Sequence, residues 1–296
     1  MSFALIDAKK ADVPIATACA MLNVSVSGYY AWKSRHASPR QRRDMILLAH
    51  IRAQFAISNE TYGSPRMHVE LTEDGVVVGR HRVARIMREN AMQARQKTRY
   101  KKTTDSDHGG PVAINVLQQN FSADGPDQKW GVDISYVWTA EGWLYLAIVL
   151  DLFSRRIVGW AISDRMKRSL AMDALKRAIT LRDPKPGLIH HSDRGSQYCS
   201  ADYRKLVQSQ SFIASMSGRG NCYDNAMVET VFKTLKAELI WRTTFNSRRQ
   251  AIDAIGEYIE GFYNPRRRHS SLGYVSPAKF ETAFHATTGQ EHSALH

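Results

Sequence analysis

The sequence predicts an α/β domain built on a mixed sheet, preceded by a small all-α region of the helix-turn-helix kind. Three observations lead there. From Trp130 onward, three strand-like segments follow one another and then give way to alternating helices and strands, the pattern of a mixed sheet. Residues 1–110 instead read as short helices separated by turn residues. Lys and Arg outnumber acids 18 to 10 in residues 1–110 and 23 to 18 in residues 111–296, so the helical third is the more basic part per residue.

The 296 residues leave room for one large domain and one or two small ones, and a hydrophobic content of 43% is enough for real cores. A formal net charge of +13 points to a polyanionic partner, nucleic acid or an acidic membrane surface, against the plainer reading of a solvated basic surface. No stretch reaches the ~18 apolar residues of a membrane span. The N-terminus, with Asp7, Lys9, Lys10 and Asp12, does not resemble a secretory signal. Cys19, Cys199 and Cys222 form no paired-cysteine motif, which fits a reducing cytoplasm and gives no support to a zinc site.

Along the first third, Val13 to Leu22 and a second segment carrying Tyr29, Tyr30 and Trp32 read as two short helices, with Ser25 as N-cap after a tight turn. They suit a helix-turn-helix, or equally a plain helical hairpin packing Trp32 into a core. A basic linker around Pro39 completes a region 1–43. A helical DNA-binding domain follows at 44–102: a helix from Asp44 to about Phe55, another opened by Ser64 as N-cap and Pro65, and a third from Arg80 to Asn90 with Val83, Ile86 and Met87 on its apolar side. Arg80, Arg82, Arg85 and Arg88 on that last helix fit a DNA-reading surface or a solvated one. Arg66, at the entry to the region, and Arg95, Lys97 and Arg99 beyond it extend the candidate DNA contacts into a linker at 103–129.

The α/β domain spans 130–245. Trp130 to Trp138 alternates apolar and polar residues as a half-buried strand does; Trp143 to Leu150 is continuously apolar and reads as central; Arg156 to Ile162, Leu188 to His191 and Ile213 to Met216 supply three more strands. Trp130, Trp138 and Trp143 read as core. Helices are expected at Ser169–Thr180, Ser200–Gln210 and Asn225 to about Trp241, with a C-terminal helix from Ser247 to Asn264 and a basic tail making up 246–296. Within the tail, Arg266, Arg267 and Arg268 are candidates for DNA-backbone contact or for a solvated surface.

Three acids carry the chemistry. Asp133 lies on the polar side of the first strand, Asp193 just after a later one, and Glu229 on a helix that faces the sheet. If those strands are neighbours the three carboxylates converge. Their repulsion calls for cations, and hard oxygen donors suit magnesium or manganese, two ions being the usual complement for displacement at phosphorus. Taken singly, a strand-borne acid such as Asp133 is more often a salt-bridged surface residue.

The surrounding residues resemble a family. Thirty-five residues separate Asp193 from Glu229, the spacing of DD(35)E integrases and transposases. Trp130-Gly131-Val132-Asp133-Ile134-Ser135-Tyr136, Asp151-Leu152-Phe153-Ser154-Arg155, His191-Ser192-Asp193-Arg194-Gly195-Ser196-Gln197-Tyr198 and Asn221-Cys222-Tyr223-Asp224-Asn225-Ala226 are similar to segments of bacterial insertion-sequence transposases encoded in two overlapping reading frames. Tyr263-Asn264-Pro265-Arg266-Arg267-Arg268-His269 and Tyr62-Gly63-Ser64-Pro65-Arg66 resemble their C-terminal signature and the entry to their helix-turn-helix. Ser135 where threonine is usual, and Thr230-Val231 for a commoner Ser-Phe pair, are departures that touch no metal ligand.

The resemblance implies an RNase H-like fold, catalysis and metal binding by Asp133, Asp193 and Glu229, two Mg²⁺ (or Mn²⁺) ions, and Lys236 near the DNA, seven residues and so two helical turns beyond Glu229. It implies action on the terminal inverted repeats of an element and on target DNA, an oligomeric complex on DNA, a first joining that circularises the element, and in many members fusion to an upstream-frame product by ribosomal frameshifting. The rival reading is a DNA-binding regulator of transposition with a silent core. His190 and His191 are candidate phosphate contacts. Asp151 and Asp224 are candidate auxiliary acids, with a strand-end salt bridge and a helix N-cap as their plainer roles.

Overall fold

The computed structural model describes residues 2–94, 111–218 and 222–293. Its centre is a five-stranded mixed sheet of order β3-β2-β1-β4-β5. β1 (Lys129–Thr139), β2 (Gly142–Asp151) and β3 (Ile157–Ser163) form an antiparallel meander, and β4 (Ile189–Ser192) and β5 (Ile213–Met216) add parallel to β1 on its other side. All five expected strands are present. The continuously apolar β2 is a central strand, as expected, flanked by β3 and β1, and β1 is the middle strand that joins the meander to the parallel pair.

Alternation along β1 divides the core in two. Trp130 and Val132 face α7 (Arg168–Arg182) and α9 (Ala201–Ser209), in a cluster with Val149, Ala174 and Tyr203. Gly159 of β3 lets α7 lie close: an added Cβ would stand 2.4 Å from the Ala174 carbonyl oxygen. The other face packs Ile148, Leu150 and Val137 against α10 (Ala226–Glu238) and α11 (Arg248–Gly256), which runs on through a π-helical turn, Glu257–Tyr263. Trp138 and Trp143, expected in the core, are exposed; they lie on the part of β1 and β2 that reaches beyond β4.

The chain opens with a helix the sequence reading did not anticipate, α1 (Ser2–Lys9). With α2 (Ile15–Met21) and α3 (Val26–Ser34) it encloses a small core of Ile6, Cys19 and Tyr29. Ser25 caps α3 as expected, accepting from Gly28 N at 3.0 Å, but the fully buried residue is Tyr29, and Trp32 stays partly exposed.

α4 (Pro39–Ile57) begins five residues before the expected Asp44, and the basic linker of the sequence reading is its first turn. Ser38 accepts from Gln41 N at 3.2 Å while Gln41 Oε1 accepts from Ser38 N at 2.7 Å: a capping box, with Pro39 at a position that needs no donor. α5 (Ser64–Glu73) is capped from Gly63, so Ser64 is already helical. α6 (Arg80–Glu89) buries Val83, Ile86 and Met87 as expected. The apolar cluster of α4–α6 runs into the one beneath α10 and α11, with Tyr62 and Phe262 ring centroids 6.4 Å apart where they meet.

The expected basic tail contains a last helix, α12 (Pro277–Ser293). Phe280 and Phe284 pack on Phe153 in the β2–β3 turn. The buried Glu281 accepts from Ser154 Oγ at 2.7 Å, Arg156 at 2.7 Å and Arg182 at 3.0 Å.

Candidate active site

The register of β1 against β4 brings two of the three expected acids together. Val132 lies opposite Ser192, the last residue of β4, so Asp133 and Asp193 are the next residues on adjacent parallel strands. The third comes from α10, which is fastened to β1 at two points. Asn225 donates from Nδ2 to the Val132 carbonyl at 3.2 Å. Gly131 leaves room for Val228: a Cβ there would stand 2.6 Å from Val228 Cγ2. Glu229 follows Val228 directly.

Asp133 feels both other acids. Its pKa is raised well above the usual carboxylate range, first by burial, then by the negative charge of Asp193, with Glu229 adding to it; a hydrogen bond from Ile134 N at 2.7 Å and the charge of Lys236 pull the other way. Asp193 Oδ1 accepts from Gly195 N at 2.9 Å, which fixes the turn after β4. Glu229 pairs with Lys233 one turn along α10 at 3.2 Å. The Lys236 ammonium lies 4.5 Å from the centre of the Tyr136 ring, and burial lowers its pKa.

Carboxylates close enough to Asp133 to oppose its ionisation form, together with it, the donor set a hard divalent cation takes. Among the described residues, no three Asp, Glu, His or Cys side chains already stand in a ligating arrangement. Glu229 is instead paired with Lys233, and Asp193 accepts from a backbone amide.

The other expected contacts divide by burial. Arg80 and Arg88 are exposed on α6. Arg82 and Arg85 instead reach back to Asp44 of α4, at 2.6 and 2.8 Å, so half of the arginine face braces the helix pair. The half-buried Arg66 has its guanidinium 5.7 Å from the centre of the Tyr62 ring. Arg266 is exposed.

Arg267 and Arg268 are not surface cations, in contrast to the sequence reading. Arg267 makes a forked pair with the buried Glu238 at 2.8 and 2.6 Å, and Tyr258 donates to the same carboxylate at 2.7 Å. Arg268 binds Glu70 and, at 2.7 Å, Glu73 of α5, holding the Glu73 carboxyl down to about 2. Arg95, Lys97 and Arg99 lie outside the described residues.

His190 and His191 are buried rather than turned to phosphate. His190 Nε2 meets Tyr203 Oη at 2.9 Å, and His191 bridges Ser215 and Ser217 on and just after β5. Asp151 is buried, makes no salt bridge among the described residues and accepts from Asp127 N and Ser154 N at 2.7 and 2.8 Å; its pKa is raised to about 6 by burial. Asp224 caps no helix. It accepts from Asn115, Gln119 and Gly218 N, and so ties the segment before β1 to the loop before α10.

Residues 123–222 and 212–277 match models of an integrase core domain, and residues 41–100 an HTH-like domain. The uncharacterized 31 kDa protein of insertion element IS600 from Shigella sonnei is 46% identical over 267 residues, 90% of this chain and 98% of its own length. The transposase InsF for insertion sequence IS3A of Escherichia coli (strain K12) is 41% identical over 283 residues, 95% of this chain and 98% of InsF. Among solved structures, the HTLV-2 integrase catalytic core domain in complex with magnesium overlaps at a TM-score of 0.43 and 15% identity, over 54% of this chain and 99% of that one. The integrase core, the HTH-like helices before it and full-length similarity to InsF together place the chain in the family of IS3-type insertion-sequence transposases, DNA transposases of the DDE polynucleotidyl transferase class.

Proposed function

We propose that Asp133, Asp193 and Glu229 are the catalytic carboxylates and hold two divalent ions, Mg²⁺ or Mn²⁺, with which the chain cuts DNA at the ends of an insertion element and joins the freed 3′ hydroxyl to a second phosphodiester. The observation that carries the reading is the Asp133–Asp193 juxtaposition across β1 and β4, with the charge of Asp193 opposing ionisation of Asp133 and Glu229 delivered by a helix pinned to β1. When bound, such ions supply charge neutralisation at phosphorus and lower the pKa of an attacking water.

The chain's own residues do the rest. β1 and β4 hold two carboxylates on a rigid sheet, which keeps them close despite repulsion. α10 carries Glu229 and, two turns on, Lys236, whose ammonium lies on the Asp133 side and suits a phosphate of the bound strand. The exposed Arg80 and Arg88 of α6, with Arg66 and Arg266, are placed for backbone phosphates of element ends and target DNA. Holding two ends at once calls for more than one protomer on DNA, and an upstream-frame fusion is one source of that pairing.

All three acids are present and converge, so no observation favours a silent core. The test is strand cleavage and strand transfer on a duplex carrying the element's terminal repeat, with and without Mg²⁺. Cleavage that requires the metal and all three carboxylates supports the assignment; binding of that duplex without metal-dependent cleavage would favour the regulator.

A further inference from the structure

The pairing of β1 with β4 ends at Val132, and among the described residues the β1 ladder beyond that point runs with β2 alone. On this outlying part of the sheet three aromatic side chains face solvent: Tyr136 is 38% exposed, Trp138 57% and Trp143 45%. They form one row. The Trp143 ring lies edge-on to Tyr136 with centroids 5.2 Å apart, and to Trp138 at 4.8 Å. The register that sets Trp138 opposite Trp143 and Tyr136 opposite Tyr145 puts the row on one face of the hairpin.

The row leads away from the catalytic strand position. Lys236 stands 4.5 Å from the Tyr136 ring centre, and the charge of Asp133 acts on it, so one cation adjoins the first ring and is within electrostatic reach of the catalytic strand position. The acids nearest the hairpin turn are engaged: Glu141 accepts from Arg248 N at 2.8 Å, and Asp164 pairs with the Arg248 guanidinium at 3.6 Å.

We propose that Tyr136, Trp143 and Trp138 form a stacking shelf for unpaired nucleobases of the DNA strand leaving the catalytic carboxylates. This rests on the reading of Asp133, Asp193 and Glu229 as the catalytic centre. Flat aromatic faces beside a cation are the chemistry that holds a single strand, because each base has a stacking face whatever its identity and the ammonium takes the neighbouring phosphate. A second copy of the chain fits less well: the three rings expose on the order of 300 Å² together, against about 800 Å² per partner in a stable protein interface.

The test uses the full chain and two probes of the same sequence, a fluorescein-labelled single-stranded 20-mer and its duplex, with affinity read by anisotropy at fixed salt. Trp138→Ala/Trp143→Ala is expected to lose about tenfold or more of its single-strand affinity, in line with ~1–3 kcal/mol per stacked base, while duplex affinity stays within twofold. Trp138→Phe/Trp143→Phe keeps a stacking face and is expected to retain most of it. Unchanged single-strand affinity in the Ala variant, equal loss on both probes, or a change in mass by light scattering without DNA would overturn the shelf, the last in favour of a self-association surface. Mg²⁺-dependent cleavage of a terminal-repeat duplex by the wild-type chain is measured separately: its absence would overturn the catalytic assignment, whereas unchanged single-strand affinity in the Ala variant overturns the shelf alone.

Discussion

Asn225 donates its side-chain amide to the carbonyl of Val132 at 3.2 Å, joining the start of α10 to the strand residue just before Asp133. Both groups are buried, so the bond satisfies two polar atoms that would otherwise be stranded in the core. It also sets the helix register that brings the charge of Glu229 to bear on Asp133.

That junction can be disturbed without touching an acid. Gly131→Ala places a methyl group 2.6 Å from Val228 Cγ2, so the Val228 side chain or α10 itself must shift away from β1. Cleavage is expected to fall about tenfold or more, because sub-ångström to 1 Å misplacement of a catalytic group is that costly, while DNA binding through α6 persists. Cleavage assays paired with filter binding check it; full activity in the alanine variant would show that Glu229 does not depend on this close approach.

A second expectation concerns the buried ion pair at the C-terminal segment. Arg267→Met leaves Glu238 buried without its guanidinium, and the fold should lose roughly 3–5 kcal/mol. Restoring apolar balance with Arg267→Met/Glu238→Leu should recover much of that loss. Denaturant melts of the two variants decide the point. DNA affinity at low salt should respond instead to Arg80→Glu/Arg88→Glu, whose side chains are exposed.

This is where sequence and structure part. The strands were legible because alternation and apolar runs are local signals, and the carboxylates because their spacing and flanking residues match a family. The partner of an arginine nearly 200 residues away is not local. A run of three arginines at 266–268 reads as a surface until the chain folds and brings Glu238, Glu70 and Glu73 to it. The start of α4 was hidden for a different reason: its capping box, Ser38 and Gln41, is embedded among arginines that read as a linker. Trp138 and Trp143 look like core by type, and only the shortness of β4 leaves them uncovered.

A third expectation follows from two histidines. Burial holds both His190 and His191 down to about 4, against 6.5 in an open chain. Above pH 6.5 both states carry neutral imidazoles and stability is level. As pH falls from 6.5 towards 4 the unfolded chain takes up protons that the folded one refuses, and stability is lost, up to roughly 3 kcal/mol per histidine. Melting temperatures between pH 7.5 and 4.5 should fall more steeply in wild type than in His191→Gln. Parallel curves would place the acid sensitivity elsewhere.

A fourth concerns the buried hydroxyl of Tyr198, which has no hydrogen-bond partner among the described residues. Tyr198→Phe removes an unsatisfied polar atom and keeps the ring against Tyr203, so thermal stability should be unchanged or slightly higher. A loss beyond about 1 kcal/mol, near the net worth of one hydrogen bond, would mean that the hydroxyl is bonded in solution.

The central claim is that Asp133, Asp193 and Glu229 act as one metal-dependent centre. Mg²⁺-dependent cleavage of a terminal-repeat duplex by wild type and by Glu229→Gln, with duplex binding measured on the same samples, tests it most directly. Glu229→Gln keeps the shape of the side chain and removes its charge; binding should persist while cleavage and strand transfer fall by orders of magnitude. Cleavage by the variant within a few-fold of wild type would remove Glu229 from the centre and contradict the account.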